Sequence, residues 1–171
     1  IAFKLTIYKV MAYLDLKVKE VINETPDTIT IVMDRPAGVE FKSGQFLTLI
    51  LNINGSEVRR SYSLCSSPYE MDKLAVAVKR VDGGLVSNYL NDNCKAGDAI
   101  KVMEPMGTFC VTPDASNKKH YVLFGGGSGI TPMLSILKTV LKEESNSLIT
   151  LIFANRDEQS ITFRKELEAL Q

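Results

Sequence analysis

Between Val58 and Pro68 the chain reads Arg59-Arg60-Ser61-Tyr62-Ser63-Leu64-Cys65-Ser66-Ser67, so guanidinium, aromatic ring and hydroxyl fall within one short β-like run. Arg60, Tyr62 and Ser63 are expected to face the same way. A fixed guanidinium can hold a phosphate through two parallel hydrogen bonds, a ring can stack on a planar heterocycle, and a hydroxyl can bond that heterocycle's polar edge. These are the parts of a site for a flat, phosphorylated cofactor, although an ordinary exposed strand can carry the same residue types.

Two glycine segments offer anion sites. The first, Gly83-Gly84-Leu85-Val86-Ser87, turns into a short helix expected over 85–92, where Ser87 could donate to a phosphate from the first turn. The second, Gly125-Gly126-Gly127-Ser128-Gly129-Ile130-Thr131-Pro132, lies between an apolar strand and an amphipathic helix. Glycines there let backbone N–H groups approach an anion, and the helix dipole adds to the attraction. No Lys follows the last glycine, so this is not a Walker loop, and it spells GxGxG rather than GxGxxG. Thr131 is the expected N-cap and Pro132 the first helical residue.

The elements that must position these residues change character along the chain. From Tyr13 to Val111, short alternating or β-branched runs separated by Gly, Pro and Asn turns predict six strands, and hence a closed or nearly closed antiparallel β-barrel. The predicted strands lie at 14–22, 28–33, 46–53, 58–65, 74–81 and 99–103. After a polar linker over 113–119, residues 120–171 read βαβα, the first part of an α/β nucleotide-binding domain. Its helices are expected from Pro132 and over 160–170. Residues 1–12, which open on Ile1 and reach Met11, are expected to be a leader upstream of the fold. A parallel sheet of only two strands would leave an edge to be paired.

Composition narrows the function classes. Twenty basic and 20 acidic residues give zero net charge, which argues against nucleic-acid binding. No run approaches the roughly 18 apolar residues of a spanning helix, so no membrane association is expected. Cys65, Cys94 and Cys110 form no metal or disulfide pattern, which suits a reducing, cytoplasmic setting and no metal site. His120, the only histidine, is expected at an exposed strand start.

The order of the motifs resembles the ferredoxin-NADP reductase superfamily of flavoproteins. Its RxYS motif matches Arg60-Ser61-Tyr62-Ser63, its GxxS motif matches Gly84 to Ser87, and its pyridine-nucleotide loop matches Gly125 to Pro132. The resemblance implies an FAD-dependent NAD(P)H oxidoreductase. In it Arg60 holds the FAD pyrophosphate, while Tyr62 stacks on the isoalloxazine and Ser63 donates to flavin N5, forming the catalytic pair. It further implies that Gly83, Gly84, Leu85, Val86 and Ser87 form the pyrophosphate site and that Val78, Lys79 and Arg80 line the isoalloxazine edge. Gly127, Ser128, Gly129 and Thr131 would receive the nicotinamide cofactor. At the end of the second nucleotide strand, Arg156 favours a ribose 2'-phosphate and leans the expectation to NADPH over NADH.

Within the superfamily, the wording of these segments is most similar to reductases that serve multicomponent oxygenases of the phenylacetyl-CoA epoxidase type. That branch carries a plant-type 2Fe-2S domain after the nucleotide domain. The C-x4-C-x2-C spacing is absent from these residues, as is the family's later Cys-Gly-Pro element, so the chain is expected to be a front fragment that binds FAD but turns over poorly. Its expected partners are an iron-sulfur domain or ferredoxin and an oxygenase component. An electron-transfer subunit with another acceptor, and a non-catalytic flavin-binding module, remain open alternatives.

Overall fold

The computed structural model describes residues 12–171; apart from Ala12, the leader expected over 1–12 lies outside the described residues. Six strands come first: β1 (Tyr13–Thr25), β2 (Thr28–Asp34), β3 (Phe46–Ile53), β4 (Ser56–Ser63), β5 (Lys73–Lys79) and, after helix α1 (Leu85–Asn93), β6 (Ala99–Met106). They form one antiparallel sheet in the order β4-β3-β6-β1-β2-β5. The sheet curls until its two edge strands meet, but among the described residues the seam is joined only at one end, by the Leu64–Val76 bridge and a 2.8 Å bond from the Cys65 amide to the Ala75 carbonyl. The nearly closed barrel is therefore present, with a seam left open between β4 and β5.

Alternation along the strands fills the barrel. Leu16, Val18, Ile31, Met33, Leu47, Leu49, Leu74, Val76, Val78 and Val102 are all fully buried in one cluster. Each contributes about 2 kcal/mol by leaving water. The β3–β4 hairpin turns on Asn54-Gly55, with φ of 53° and 78°, the doubly left-handed turn whose twist suits flanking strands. Strand β6 runs three residues past its predicted end because a register shift between Phe46 and Thr48 lets Phe46 pair with Met106.

The second unit contains β7 (His120–Gly126), α2 (Ile130–Glu143), β8 (Leu148–Ala154) and α3 (Arg164–Ala169), with β7 and β8 parallel. Helix α2 is capped by Gly129, not Thr131. The glycine turn winds as a 3-10 segment over Gly127–Gly129 straight into the helix, and Thr131, already inside, donates back to the Ser128 carbonyl at 3.0 Å. Helix α3 is shorter than the helix predicted over 160–170. Asp157 and Ser160 cap each other around a 3-10 turn, and buried Phe163 then adopts φ 63°, so α-helix starts only at Arg164.

The two units pack through an apolar patch. Val32, Ala75 and Ala77 on the outside of β2 and β5, with Cys65, meet Ile130 and Leu134 of α2 and Phe163. The linker is held by buried Glu144 at the end of α2, whose Oε1 accepts from the Asp114 amide (3.1 Å), Asn117 Nδ2 (2.7 Å) and Tyr121 OH (3.0 Å), while Oε2 accepts from Ser147 Oγ (2.6 Å). No helix among the described residues is long and apolar enough to cross a membrane.

Candidate functional site

Register decides what β4 presents. Arg60 lies opposite Leu49 and Tyr62 opposite Leu47, so both share the face of the barrel core. Ser61 and Ser63 lie opposite Thr48 and Phe46 on the other face, and Ser61 Oγ is 3.0 Å from Thr48 Oγ1. The expectation that Arg60, Tyr62 and Ser63 face one way is corrected here: the strand period is two, and Ser63 follows Tyr62 by one. Tyr62 is half-buried against the core, and burial raises its phenol despite the lowering charge of Arg60. Arg60 is exposed, with Nη1 donating to the Arg59 carbonyl at 2.8 Å.

Across the seam, β5 ends in a tightly held segment. The Val78 carbonyl accepts from Asn91 Nδ2 (3.1 Å), the Arg80 amide donates to the Asp27 carbonyl (2.7 Å), and the Arg80 guanidinium pairs with Asp92 (2.6 Å). The chain then turns through Gly83 (φ 64°) into α1, whose N-cap Gly84 brings no capping side chain and whose first turn holds no acid. Ser87 Oγ accepts the Val81 amide at 3.1 Å, which leaves its own proton free to donate. A Cβ on Gly84 would stand 2.6 Å from that oxygen and 3.0 Å from the Val81 carbonyl, so any side chain there would displace the Ser87 hydroxyl from the cradle. Val86 is buried in the barrel core and offers only its backbone, whereas Leu85 is exposed.

A cleft of about 280 Å³ lies where the two units meet, lined by Lys79, Gly127, Ala154, Asn155, Arg156 and Ser160. It sits at the carboxyl ends of β7 and β8, where open α/β sheets bind ligands. Gly127 takes φ 50°, and added Cβ atoms at Gly126, Gly127 and Gly129 would meet nothing within 4 Å, so backbone approach from outside is open. Asn155 Oδ1 is buried without a hydrogen-bond partner among the described residues. The structure thus brings Lys79, Gly127 and Arg156 together, with Ser128 and Gly129 in the adjoining turn. Thr131 stands apart from the cleft lining, its hydroxyl already committed to Ser128.

Asp27, which sequence reasoning missed, borders this cleft through two of its lining residues. Its Oδ2 lies 3.3 Å from both Lys79 Nζ and Arg156 Nη2, and its Oδ1 accepts from Thr25 and Thr28 hydroxyls. Burial alone would raise this carboxyl, but the two threonines and Lys79 hold it below the usual carboxylate range. The only sequence signal was the Pro26-Asp27 turn, and Arg156 is 129 residues away. A second missed feature is the row Ser63, Phe46, Met106, with Gly107 against the Phe46 ring.

The donor set fits a flavin dinucleotide: a half-buried ring at an open seam, an exposed guanidinium beside it, and an uncapped helix start crowded around Gly84. The cleft, with open glycines, two cations that share Asp27, and an amide oxygen able to accept from a ribose hydroxyl or base amine, fits a nucleotide.

Known proteins agree with this chemistry. The oxidoreductase FAD-binding domain profile matches residues 13–110, and the oxidoreductase NAD-binding domain profile matches residues 123–171. The chain is 41% identical over 160 residues to a component of the 1,2-phenylacetyl-CoA epoxidase of Escherichia coli K12, covering 91% of this chain and 45% of that protein. It is 43% identical over 160 residues to the ferredoxin reductase component of 3-ketosteroid-9-alpha-monooxygenase from Rhodococcus rhodochrous, covering 91% and 44%. Among solved structures, the Amycolatopsis cytochrome P450 reductase GcoB superposes with a TM-score of 0.85 at 27% identity over 96% of this chain and 50% of its own. Phthalate dioxygenase reductase, described as a modular structure for electron transfer from pyridine nucleotides to 2Fe-2S, gives 0.77 at 33% identity over 91% and 47%. The chain spans about half the length of the curated relatives it matches. An open-seamed barrel with the RxYS and GxxS positions, followed by a parallel βα unit with its glycine turn, matches those two profiles in order, and the chain belongs to the FAD- and NAD-binding oxidoreductases of the ferredoxin-NADP reductase superfamily.

Proposed function

We propose that this chain is the flavin- and nucleotide-binding part of a cytoplasmic NAD(P)H reductase. It would feed an oxygenase, of the phenylacetyl-CoA epoxidase type, through an iron-sulfur domain or ferredoxin. Residues 13–112 form the flavin barrel, 113–119 the linker and 120–171 the start of the nucleotide domain. The observation that carries the reading is the open barrel seam, with Arg60 and Tyr62 on its core face and the uncapped start of α1 following β5.

When bound, the cofactors would supply the redox chemistry, a hydride transfer from a dihydronicotinamide to the flavin. The protein's task is to bind and orient. Arg60 and the amides of Gly83, Leu85, Val86 and Ser87 would hold the pyrophosphate, with Ser87 donating its free proton; the Gly84 amide is committed to the Val81 carbonyl at 2.9 Å. Tyr62 would stack on the isoalloxazine and Val78 to Arg80 would line its edge, whereas Ser63, facing away from Tyr62, would donate to N5 only where the ring's edge reaches round the end of β4. Gly127, Ser128, Gly129 and Thr131 receive the nucleotide, and Arg156 inclines the site to NADPH once it lets go of Asp27. Titrating the purified protein with FAD should quench flavin fluorescence and leave the protein yellow after gel filtration, and anaerobic NADPH should bleach it more readily than NADH. A chain that emerges colourless when excess FAD is removed by gel filtration refutes the flavin assignment; equal response to the two nucleotides refutes the role of Arg156.

A further inference from the structure

The four residues after the flavin strand are tied to the nucleotide helix by a chain of buried hydroxyls. Ser135 Oγ on α2 donates to the Ser66 carbonyl at 2.6 Å, and Thr139 Oγ1, one turn on, donates to the Ser135 carbonyl at 2.6 Å. With its single proton so used, Thr139 must accept from Ser67 Oγ, 3.1 Å away, and Ser67 in turn accepts the Tyr69 amide at 3.3 Å. Ser66 Oγ accepts the Ala75 amide of β5 at 3.1 Å. Ser66, Ser67, Ser135 and Thr139 are all buried. Outside them, Lys138 bridges Glu70 and Glu166 at 3.0 Å each, and Tyr69 OH donates to Glu143 at 2.8 Å.

Position gives this chain its meaning. Ser66 lies three residues beyond Ser63, about 10 Å of extended backbone at most. Ser135 lies five residues beyond the start of α2, about 8 Å along the helix from the glycine turn. The rest of the interface is an apolar, non-directional patch rimmed by Lys138–Glu70, Tyr69–Glu143 and Arg156–Asp27, none of them fully buried, so its core holds the units together without setting their register. Hydrogen bonds have fixed lengths, and buried ones left unmade are unfavourable by roughly 1–3 kcal/mol, so this chain does set it.

We infer that Ser135 and Thr139 are positioning residues that set the spacing between the flavin strand at Ser63 and the nucleotide loop at Gly127 to Thr131. The inference rests on the proposed function. The test compares wild type with Ser135→Ala, Thr139→Val, which keeps shape but removes the hydroxyl, and Thr139→Ser, which restores it. In ligand-free protein, hydrogen exchange of the amides from Leu64 to Glu70 should quicken in the first two variants. In the FAD-loaded full-length gene product, FAD affinity should be unchanged. The long-wavelength charge-transfer absorbance on mixing with nucleotide should weaken. Flavin reduction at saturating nucleotide should slow by about 10- to 100-fold, as ångström-scale misplacement does. Thr139→Ser should recover both signals. Variants that melt earlier yet keep wild-type absorbance and reduction rate overturn the inference and leave an ordinary packing role. If Ser135→Ala is insoluble, the Thr139→Val and Thr139→Ser pair decides alone. A wild-type protein that binds FAD but is bleached by neither nucleotide overturns the proposed function itself, and the inference with it.

Discussion

Replacing Glu144 with Gln isolates the charge that anchors the linker to the nucleotide unit. The buried carboxylate accepts four hydrogen bonds, from Asp114, Asn117, Tyr121 and Ser147. Burial alone would raise its pKa, but these donors hold it down to about 2. Glutamine keeps one oxygen for the three donors now on Oε1, and its NH2 can donate to Ser147 if that hydroxyl turns, so what is lost is mainly charge assistance. Charge-assisted bonds contribute up to about twice as much as neutral ones, which over this cluster amounts to about 2 kcal/mol. With a urea dependence of about 2 kcal/mol per molar, the unfolding midpoint at pH 7 should fall by about 1 M. The folded pKa is depressed, so the stabilisation is complete above the ordinary carboxyl value of 4.5 and is lost as pH falls towards 2. Wild type and Glu144→Gln should therefore converge in urea titrations at pH 3. A midpoint gap that is the same at pH 3 as at pH 7, or no gap at pH 7, refutes the reasoning.

Arg60→Ala removes an exposed guanidinium with no role in the core, so it should leave the melting temperature unchanged while raising the FAD dissociation constant by about 10- to 100-fold in fluorescence titration. A Cβ at Gly44 (φ 93°) would overlap the Phe109 carbonyl, so Gly44→Ala should destabilise the fold by about 3 kcal/mol or more, read by chemical denaturation. Burial pushes the Cys65 thiol up to about 12, so it should resist alkylation at pH 8 until the chain is unfolded, as mass spectrometry of the labelled peptide would show.

The barrel was legible because its cues are local. The buried run from Phe46 to Ile53 stands between two glycine turns, and its strand has those bounds. Helix α1 begins where the glycine pair ends. What escaped was set by distant partners or by residue-level backbone geometry. The last helix starts late because Phe163 turns left-handed to reach an interface made by β2 and β5. Ser66 and Ser67 look like loop filler, since their partners lie 69 and 72 residues on. At the site, Arg60 and Tyr62 follow from strand alternation, whereas the same alternation, counted residue by residue, already places Ser63 on the other face. The tie between Arg156 and Asp27 has no local signature at all.

The strand order has a consequence for how the barrel comes into being. Strand β6 lies between β3 and β1, so the hairpin β3–β4 and the group β1-β2-β5 have no direct ladder to each other until it inserts. During synthesis the chain therefore carries two incomplete sheets, each with an open edge, until residues 99–106 have emerged, and Tyr13 must wait for Met103. Assembly is a late, long-range closure of the kind that folds slowly, with exposed edges in the interval. A polypeptide stopped before Ala99 would hold the Arg60 and Tyr62 motif on a hairpin with no barrel behind it.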